Sequence, residues 1–121
     1  MRKKILVVED DRDYQAVLRL MLQRAGYETE ECRFGSNALP RLLAKDIDLV
    51  MLDYMMPDEK GDEISHSIKS METLKKLPIL IVTGHHELSE EFFKGMGAQE
   101  VLYKPVNYDE LVDKVKKCLK D

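Results

Sequence analysis

Four apolar residues, Leu49 to Leu52, run directly into an aspartate, Asp53, and this stretch constrains the fold more than any other part of the sequence. A short continuous apolar run is typical of a strand that is buried on both faces, as in the middle of a parallel sheet. Asp53 is then expected at the carboxyl end of that strand, where open α/β sheets place their ligand sites. Because a carboxylate is costly to bury alone, Asp53 needs charged partners from elsewhere in the chain.

Two more apolar runs, Ile5 to Val8 and Ile79 to Val82, predict further buried strands. Residues 27–32 are more polar and residues 101–103 form only a brief run, so both are expected to be edge strands. Helical patterns follow each strand, which predicts an α/β fold: a doubly wound five-stranded parallel sheet with helices on both faces. In the first helix, the apolar spacing predicts one buried face, which carries Tyr14, Val17, Leu18, Met21, Leu22 and Ala25. Right-handed crossovers favour the strand order 2-1-3-4-5.

Local signals place several helix ends. Gly26 is a predicted C-cap residue of the first helix, and Asn107 is a predicted N-cap residue of the last. Pro40 falls within the predicted second helix, where proline is tolerated only near the start, so an irregular first turn is expected there.

Length and composition limit the possible functions. The 121 residues predict a single domain, residues 1–121. A formal net charge of −4 argues against direct nucleic-acid binding. No apolar stretch reaches the length of a membrane span and no signal peptide is evident, so we expect no membrane association and a cytoplasmic location. Cys32 and Cys118 are interpreted as free thiols in a reducing compartment.

The carboxyl ends of parallel strands meet at one edge of a sheet. Strand 1 brings Glu9 and Asp10 there, strand 3 brings Asp53, strand 4 brings Thr83 and strand 5 brings Lys104. Crowded carboxylates raise one another's pKa, and a hard divalent cation such as Mg²⁺ relieves their repulsion. An aspartate in that setting can act as a nucleophile and form an aspartyl phosphate. Lys104 would offset the charge of the transferred phosphoryl group, and the Thr83 hydroxyl could hydrogen-bond to it.

Together these features resemble the receiver domain of the bacterial two-component response regulators, the CheY-like family. The resemblance covers the whole chain and rests on five groups of residues in the family's order. They are Ile5-Leu6-Val7-Val8-Glu9-Asp10-Asp11, Asp53 with Met56-Pro57 and Gly61, Val82-Thr83, Gly97-Ala98, and Lys104-Pro105.

The resemblance implies roles for these residues. Asp53 would be the phosphoacceptor. Asp10, Asp53 and the main-chain carbonyl of Met55 would hold Mg²⁺, and Glu9 would act on the ion through water. The domain would catalyse only its own phosphorylation and dephosphorylation, so it would be a signalling phosphoacceptor and not an enzyme with a separate substrate.

The resemblance also implies partners. Thr83 and Lys104 would contact a phosphoryl group delivered by a sensor histidine kinase or a histidine phosphotransfer protein. A downstream output protein or domain would bind the face formed by helix 4, strand 5 and helix 5. The domain would be a monomer or a phosphorylation-dependent dimer, either standing alone or excised from a longer regulator.

The sequence departs from the family pattern at several positions. Val101 stands where the family usually has a switch tyrosine or phenylalanine. Tyr103 is nearby, but strand alternation points it to the same side as Val101, so it is not assigned the switch role. Gly84 replaces the usual alanine and is expected to loosen the loop that it starts. His85 and its neighbour His86 are interpreted as solvent-exposed loop residues, not as metal ligands.

Two other functions remain open from the sequence. One is a receiver-like protein-interaction module that is never phosphorylated, which Val101 keeps possible. The other is a flavodoxin-like cofactor binder, which would need a Gly/Ser/Thr-rich phosphate loop after the first strand. The sequence has Glu-Asp-Asp-Arg-Asp at residues 9–13, which is opposite in charge to such a loop. Taken singly, the same acidic run could also be an ordinary helix N-terminus.

Overall fold

The computed structural model of the protein describes residues 2–44, 46–54 and 61–120. Within these residues, strands and helices alternate along the chain. The strands are β1 (Lys4–Val8), β2 (Glu28–Cys32), β3 (Leu49–Asp53), β4 (Ile79–Thr83) and β5 (Glu100–Tyr103). The α-helices are α1 (Arg12–Arg24), α2 (Ala38–Leu42), α3 (Gly61–Ser70), α4 (Glu90–Gly95) and α5 (Tyr108–Leu119).

All neighbouring strands are parallel and the sheet has the order β2-β1-β3-β4-β5. The register aligns Met51 at the centre of β3 with Val7 on one side and Leu80 on the other. The three most apolar strands are central, and the polar β2 and short β5 form the edges. The predicted doubly wound α/β fold and its strand order are therefore confirmed.

The side chains of the central strands alternate between two cores, one on each face of the sheet. The first core packs beneath α1 and α5 and includes Ile5, Val7, Leu18, Leu22, Leu49, Met51, Leu80, Val82, Leu111 and Val115. The second packs beneath α2, α3 and α4 and includes Leu6, Val8, Ala38, Leu42, Val50, Leu52, Ile64, Ile68, Ile81, Phe93 and Val101. Covering both faces in this way leaves the carboxyl edge of the sheet as the place where polar side chains can gather.

The inward face of α1 differs from the expected one. Val17 was expected on the buried face but is 41% exposed, whereas the polar Gln15 is buried. Gln15, Leu18 and Leu22 are spaced i, i+3 and i+7, so the helix is rotated toward Gln15 and Val17 turns outward. The polar side chain is accepted inside because its amide finds two carbonyl partners, described below.

The predicted N-cap residue of α5, Asn107, is confirmed, whereas the C-cap residue of α1 is Ala25, one position before the predicted Gly26. Gly26 has a positive φ of 97° and donates its N–H to Gln23 O at 3.0 Å, which closes α1. Asn107 Oδ1 accepts from the Glu110 N–H at 3.1 Å and caps α5. A 3₁₀ turn at Gly35–Asn37 leads into α2, so the irregular start predicted from proline is also found.

Two further observations bear on the sequence predictions. The cysteines Cys32 and Cys118 are free thiols, as predicted. Across the described part of the chain, no helix combines the length and apolar character needed to cross a membrane.

Candidate functional site

The carboxyl ends of β1, β3, β4 and β5 converge at one edge of the sheet and bring most of the predicted site residues together. Carboxylate oxygens of Glu9, Asp10 and Asp53 all lie within 4.8 Å of one another. The Lys104 ammonium is 2.7 Å from Glu9 Oε1 and 4.0 Å from Asp53 Oδ2. The predicted ligand Met55 lies outside the described residues, as do the Met56-Pro57 pair of the family pattern.

Glu9 is the most deeply buried member of this group, with 1% of its surface exposed. Its Oε1 accepts from Lys104, and its Oε2 accepts from the Asp11 N–H at 3.3 Å. The Gln15 side-chain amide donates to the main-chain carbonyls of Glu9 (3.2 Å) and Cys32 (3.1 Å). The end of β1 is therefore fastened both to α1 and to the end of β2.

Asp53 is strongly affected by these surroundings. Burial raises the pKa of its carboxyl, and the neighbouring negative charge of Glu9 raises it further. The positive charge of Lys104 opposes both effects only in part, so the pKa of Asp53 rises from its ordinary 3.8 to about 7. An added cation would reverse this balance, because it would favour the ionised carboxylate.

The three carboxylates suit a magnesium ion by their chemistry and spacing. Mg²⁺ prefers oxygen ligands, and its octahedral bonds of about 2.1 Å place opposite ligands roughly 4 Å apart. Oxygens of Glu9, Asp10 and Asp53 within 4.8 Å of one another fit an ion held partly through water. Burial and the negative charge of Glu9 together raise the pKa of Asp53, and a bound cation would act against both effects.

Lys104 is held on several sides. Burial acts to lower its pKa, but the hydrogen bond to Glu9 and the charge of Asp53 outweigh burial, so the pKa is raised and the side chain stays cationic. Its Nζ also lies 4.4 Å above the centre of the Tyr14 ring. The Tyr14 hydroxyl accepts a hydrogen bond from the Val106 N–H at 2.8 Å.

Thr83 ends β4 and is fully buried. Its Oγ1 accepts from the His85 N–H at 3.0 Å, and its main-chain carbonyl accepts from the Lys104 N–H at 2.8 Å. The hydroxyl thus sits at the same edge as Asp53 and Lys104, at the start of a short loop. In this structure, the Thr83 hydroxyl is paired with the main-chain amide of His85 in that loop.

Aromatic side chains pack beside that loop in a group that we call the aromatic cluster: Tyr54, His85, Phe92, Phe93 and Tyr103. The Tyr54 ring, next to Asp53 in sequence, meets His85, Phe92 and Phe93 edge to face at 5.8, 6.0 and 5.2 Å between centroids. Phe93 in turn lies 6.5 Å from the Tyr103 ring. The cluster therefore connects the neighbourhood of Asp53 to α4 and β5.

The strand β5 carries the two residues that bear on the missing switch aromatic. Val101 is 2% exposed, and Tyr103 packs against the same core, so the predicted shared direction of the two side chains is confirmed. The Tyr103 hydroxyl donates to Leu88 O at 2.6 Å. Of the two loop histidines, His86 is exposed as predicted, whereas His85 is half-buried in the aromatic cluster.

Sequence reasoning missed the contributions of Tyr14, Gln15 and Tyr54. Tyr14 was expected on the buried face of the first helix, without a link to the lysine. The spacing of Gln15 relative to Leu18 and Leu22 could have shown that this polar residue faces inward. The pairing of Tyr54 with a helix 4 phenylalanine depends on the angle of a short helix, and no local pattern in the sequence encodes that angle.

Comparison with known proteins identifies the family. Residues 5–116 match the family model described as the response regulator receiver domain. The chain belongs to this family. The resemblance inferred from the strand ends is thereby confirmed, and this receiver domain is a signalling module of two-component systems, unlike the flavodoxin-like cofactor binders that share its fold.

Relatives and solved structures agree with that assignment. The receiver domain is 34% identical to the phosphate regulon transcriptional regulatory protein PhoB of Rhizobium meliloti, covering 99% of this chain and 53% of PhoB. It spans about half the length of such curated relatives, with 49% coverage of GltR of Pseudomonas aeruginosa. The chemotaxis protein CheY4 of Vibrio cholerae superposes with a TM-score of 0.88 at 30% identity, over 98% of this chain and 100% of that one.

A further solved structure is the response regulator protein TrrA of Thermotoga maritima, in complex with Mg²⁺-BeF. It is 34% identical, has a TM-score of 0.86 and covers 97% of this chain and 99% of TrrA. The CheY-like fold of the receiver domain is therefore shared with proteins of the same family.

Proposed function

We propose that this receiver domain accepts a phosphoryl group on Asp53 and that the new charge switches its binding to a partner. The observation that supports this most is the convergence of Glu9, Asp10 and Asp53, within 4.8 Å of one another, with the Lys104 ammonium 4.0 Å from Asp53. A nucleophilic carboxylate beside a fixed cation is what phosphoryl transfer to an aspartate requires.

In the proposed step, an ionised carboxylate oxygen of Asp53 attacks the phosphorus of a phosphohistidine. The O–P bond forms as the P–N bond breaks, and the departing imidazole nitrogen takes a proton from water. Lys104 offsets the charge on the phosphoryl oxygens, and the Thr83 hydroxyl donates a hydrogen bond to one of them. Dephosphorylation is a separate hydrolysis: water attacks the phosphorus, the O–P bond to Asp53 breaks, the Asp53 carboxylate is regenerated, and inorganic phosphate leaves with both protons of the water.

We propose Asp10, Asp53 and the main-chain carbonyl of Met55 as ligands of Mg²⁺, with Glu9 acting through water. When bound, Mg²⁺ would offset the negative charge of the carboxylates and of the incoming phosphoryl oxygens. The complex of the relative TrrA with Mg²⁺-BeF supports this proposal. Lys104 already uses one oxygen of Glu9, at 2.7 Å, which leaves Asp10 and Asp53 as the more available direct ligands.

The proposed donor is a sensor histidine kinase or a histidine phosphotransfer protein in the cytoplasm. The proposed output surface is the face of α4, β5 and α5, where Lys114 reaches Glu100 at 2.9 Å and Glu90 at 3.6 Å. These contacts join the three elements, so a movement of α4 would be felt across the face. We propose that residues 1–121 act as one domain without direct nucleic-acid binding, as a monomer or a phosphorylation-dependent dimer.

Val101 is too short to swing as the family's switch aromatic does. We therefore propose that the Thr83 loop (residues 84–86) and the aromatic cluster carry most of the response. Losing the switch aromatic's burial would shrink the free-energy difference between the two states by about 1 kcal/mol. Amide NMR with beryllofluoride and Mg²⁺ should show the largest shifts at Asp53, Thr83 to His86 and Lys104. Equally large shifts throughout α5 would contradict this distribution.

Mass spectrometry tests the phosphoacceptor directly. Acetyl phosphate with Mg²⁺ should add one phosphoryl group to the wild type and none to Asp53→Asn. Asp113→Asn, at an exposed aspartate of α5, is the matched control and should be labelled normally. Label that persists in Asp53→Asn would place the phosphoacceptor elsewhere. An unlabelled wild type would favour the alternative, a receiver-like interaction module that is not phosphorylated.

Thermal unfolding tests the metal site separately. Mg²⁺ at about 100 times its Kd should stabilise the fold by about 2.7 kcal/mol, since it binds the folded state alone. Asp10→Ala should lose most of this gain, because it removes one direct ligand. A melting temperature that is indifferent to millimolar Mg²⁺ would reject the site.

A further inference from the structure

The chemistry proposed above leaves one close neighbour of the lysine without a role. Tyr14 lies in the first turn of α1, and its ring centre is 4.4 Å from Lys104 Nζ. An ammonium over an aromatic face at this distance is attracted by the negative charge of the ring face. The attraction is stronger when the pair is shielded from water, and both side chains are half-buried.

A second contact joins Tyr14 to the same segment. Its hydroxyl accepts a hydrogen bond from the Val106 N–H at 2.8 Å, across 92 positions of sequence. Val106 follows Lys104 by two residues. One side chain therefore holds the lysine at two points, through the ammonium and through the main chain of the segment that carries it.

We propose that Tyr14 is a positioning residue for Lys104, whose ring sets the direction in which the ammonium approaches Asp53. This inference rests on the proposed function, since it assigns a task in phosphorylation of that aspartate. A lysine has a long flexible stem, so its reach must be limited from outside. Here the Lys104 ammonium lies 2.7 Å from Glu9, 4.0 Å from Asp53 and 4.4 Å from the centre of the Tyr14 ring.

The Tyr14 ring, unlike the carboxylates, can attract the Lys104 ammonium while allowing it to move. When a phosphoryl group is added to Asp53, the ammonium must leave part of its contact with Glu9 and move toward the new oxygens. A ring face attracts the cation without a fixed donor–acceptor direction, so it guides a short movement and does not resist it. Reacting groups that are held near their final geometry react faster, which is the expected benefit.

Two substitutions separate the two contacts. Tyr14→Leu keeps an apolar side chain but removes both the ring and the hydroxyl. Tyr14→Phe keeps the ring over Lys104 and removes only the hydrogen bond to Val106. The control is Tyr108→Leu, which deletes a similar pair, Arg24 at 4.2 Å over the Tyr108 ring, at a place without a role in the proposed chemistry.

The first measurement is the rate of phosphorylation by acetyl phosphate at saturating Mg²⁺. Tyr14→Leu should be about threefold to tenfold slower than the wild type, the range expected for one partly buried cation–π contact. Tyr14→Phe should fall between them, and Tyr108→Leu should match the wild type.

The second measurement distinguishes positioning from general damage to the fold. The Kd for Mg²⁺ should stay unchanged in both Tyr14 variants, since the proposed ligands lie on other elements. In proton NMR, the ε-methylene signals of Lys104 should be shifted upfield by the ring in the wild type and in Tyr14→Phe. They should return to ordinary positions in Tyr14→Leu, whereas the Val106 amide signal should move in both.

The outcomes distinguish failure of the positioning role of Tyr14 from failure of the proposed phosphorylation. A wild-type rate in Tyr14→Leu would overturn the positioning role, and so would a loss of Mg²⁺ affinity equal to the loss of rate. Labelling of Lys104→Met at the wild-type rate would overturn the roles of both Lys104 and Tyr14 but not phosphorylation of Asp53. Failure of the proposed function looks different: the wild type itself takes up no label. In that case the role of Tyr14 in phosphorylation is overturned together with the function.

Discussion

Thr83 is the last residue of β4, and Lys104 comes directly after the neighbouring strand β5. The two side chains are nevertheless held in place by different kinds of interaction. Lys104 is fixed by opposite charges and by a ring, with contacts to Glu9 at 2.7 Å and Tyr14 at 4.4 Å. Thr83 is fixed by the amide of His85, in a loop that starts with the exposed Gly84. We call Lys104 and its partners the charge-held half of the site. Thr83, its loop and the aromatic cluster form the geometry-held half, which depends on loop geometry and ring packing.

This difference indicates a division of labour. Interactions between buried charges are strong, so they favour one arrangement of the side chains over others. The charge-held half around Lys104 therefore suits a reaction that needs its groups in fixed positions. Edge-to-face rings hold one another by weaker forces that several geometries satisfy, so the half around Tyr54 and Thr83 can rearrange. Phe92, at the outer end of the aromatic cluster, is 45% exposed and can carry such a rearrangement to the surface.

The largest expected effect breaks the charge-held half. Lys104→Met leaves the buried Glu9 without its cation and should destabilise the metal-free fold by about 3 kcal/mol, measured by urea unfolding. Mg²⁺ should restore part of the loss, because it supplies positive charge beside the same carboxylates. Lys117→Met is the control: its pair with Asp113 is exposed, and its loss should cost less than about 1 kcal/mol. An equal loss in both variants would show that the Lys104 contact is not special.

The next effect concerns pH. The folded-state pKa of Asp53 is raised to about 7, so the folded protein holds this proton more tightly than the unfolded chain does. Stability of the metal-free wild type should therefore fall as pH rises from about 4 to about 7. Asp53→Asn cannot ionise, so its stability advantage over the wild type should be small at pH 4 and should grow steadily until about pH 7. A difference that does not depend on pH would contradict the raised pKa.

The geometry-held half should respond differently. Thr83→Val keeps the shape of the side chain but removes the acceptor of the His85 N–H, and should destabilise the fold by about 1 kcal/mol. The loss should be nearly the same from pH 5 to pH 8, in contrast to the charge-held half. Thr83→Ser retains the hydroxyl and serves as the control for the hydrogen bond. A strong pH dependence in Thr83→Val would erase the distinction between the halves.

The smallest effect tests the looseness of the Thr83 loop. A Cβ built at Gly84 meets nothing within 4 Å, so Gly84→Ala should stabilise the fold by about 0.5 kcal/mol by restricting the unfolded chain. At Gly97, φ is +110° and a Cβ would lie 3.0 Å from Ser65 Oγ, so Gly97→Ala should destabilise by about 1 kcal/mol or more. Thermal unfolding compares the two. Destabilisation by Gly84→Ala would mean that the loop is already fixed by packing.

Much of the fold could be predicted because it rests on local patterns. The apolar runs Leu49–Leu52 and Ile79–Val82 predict buried strands, as the structure confirms, and handedness then limits their order. The rotation of α1 that buries Gln15 could not be predicted from the local sequence pattern in the same way. It depends on two carbonyls at strand ends that are far from α1 in sequence.

The positions of the site residues follow from the topology alone, because parallel strands end at one edge. The sequence therefore indicated Glu9, Asp10, Asp53, Thr83 and Lys104 as neighbours. It could not indicate that the lysine prefers Glu9 to Asp53, at 2.7 against 4.0 Å, because this choice depends on side-chain reach. The ring of Tyr14 is another such case, since a tyrosine in a helical apolar pattern normally predicts only core packing.

The buried amide of Gln15 has a consequence for timing. By holding the carbonyls of Glu9 and Cys32 at 3.2 and 3.1 Å, it fixes the acidic end of β1 before any ion arrives. If Mg²⁺ binds there as proposed, little of the chain would have to reorganise, and the slow step would be the release of the ion's own water molecules, which Mg²⁺ gives up reluctantly. The rate of Mg²⁺ binding, which in the proposed reaction must precede phosphorylation, would therefore be set by dehydration of the ion and not by rearrangement of the protein around it.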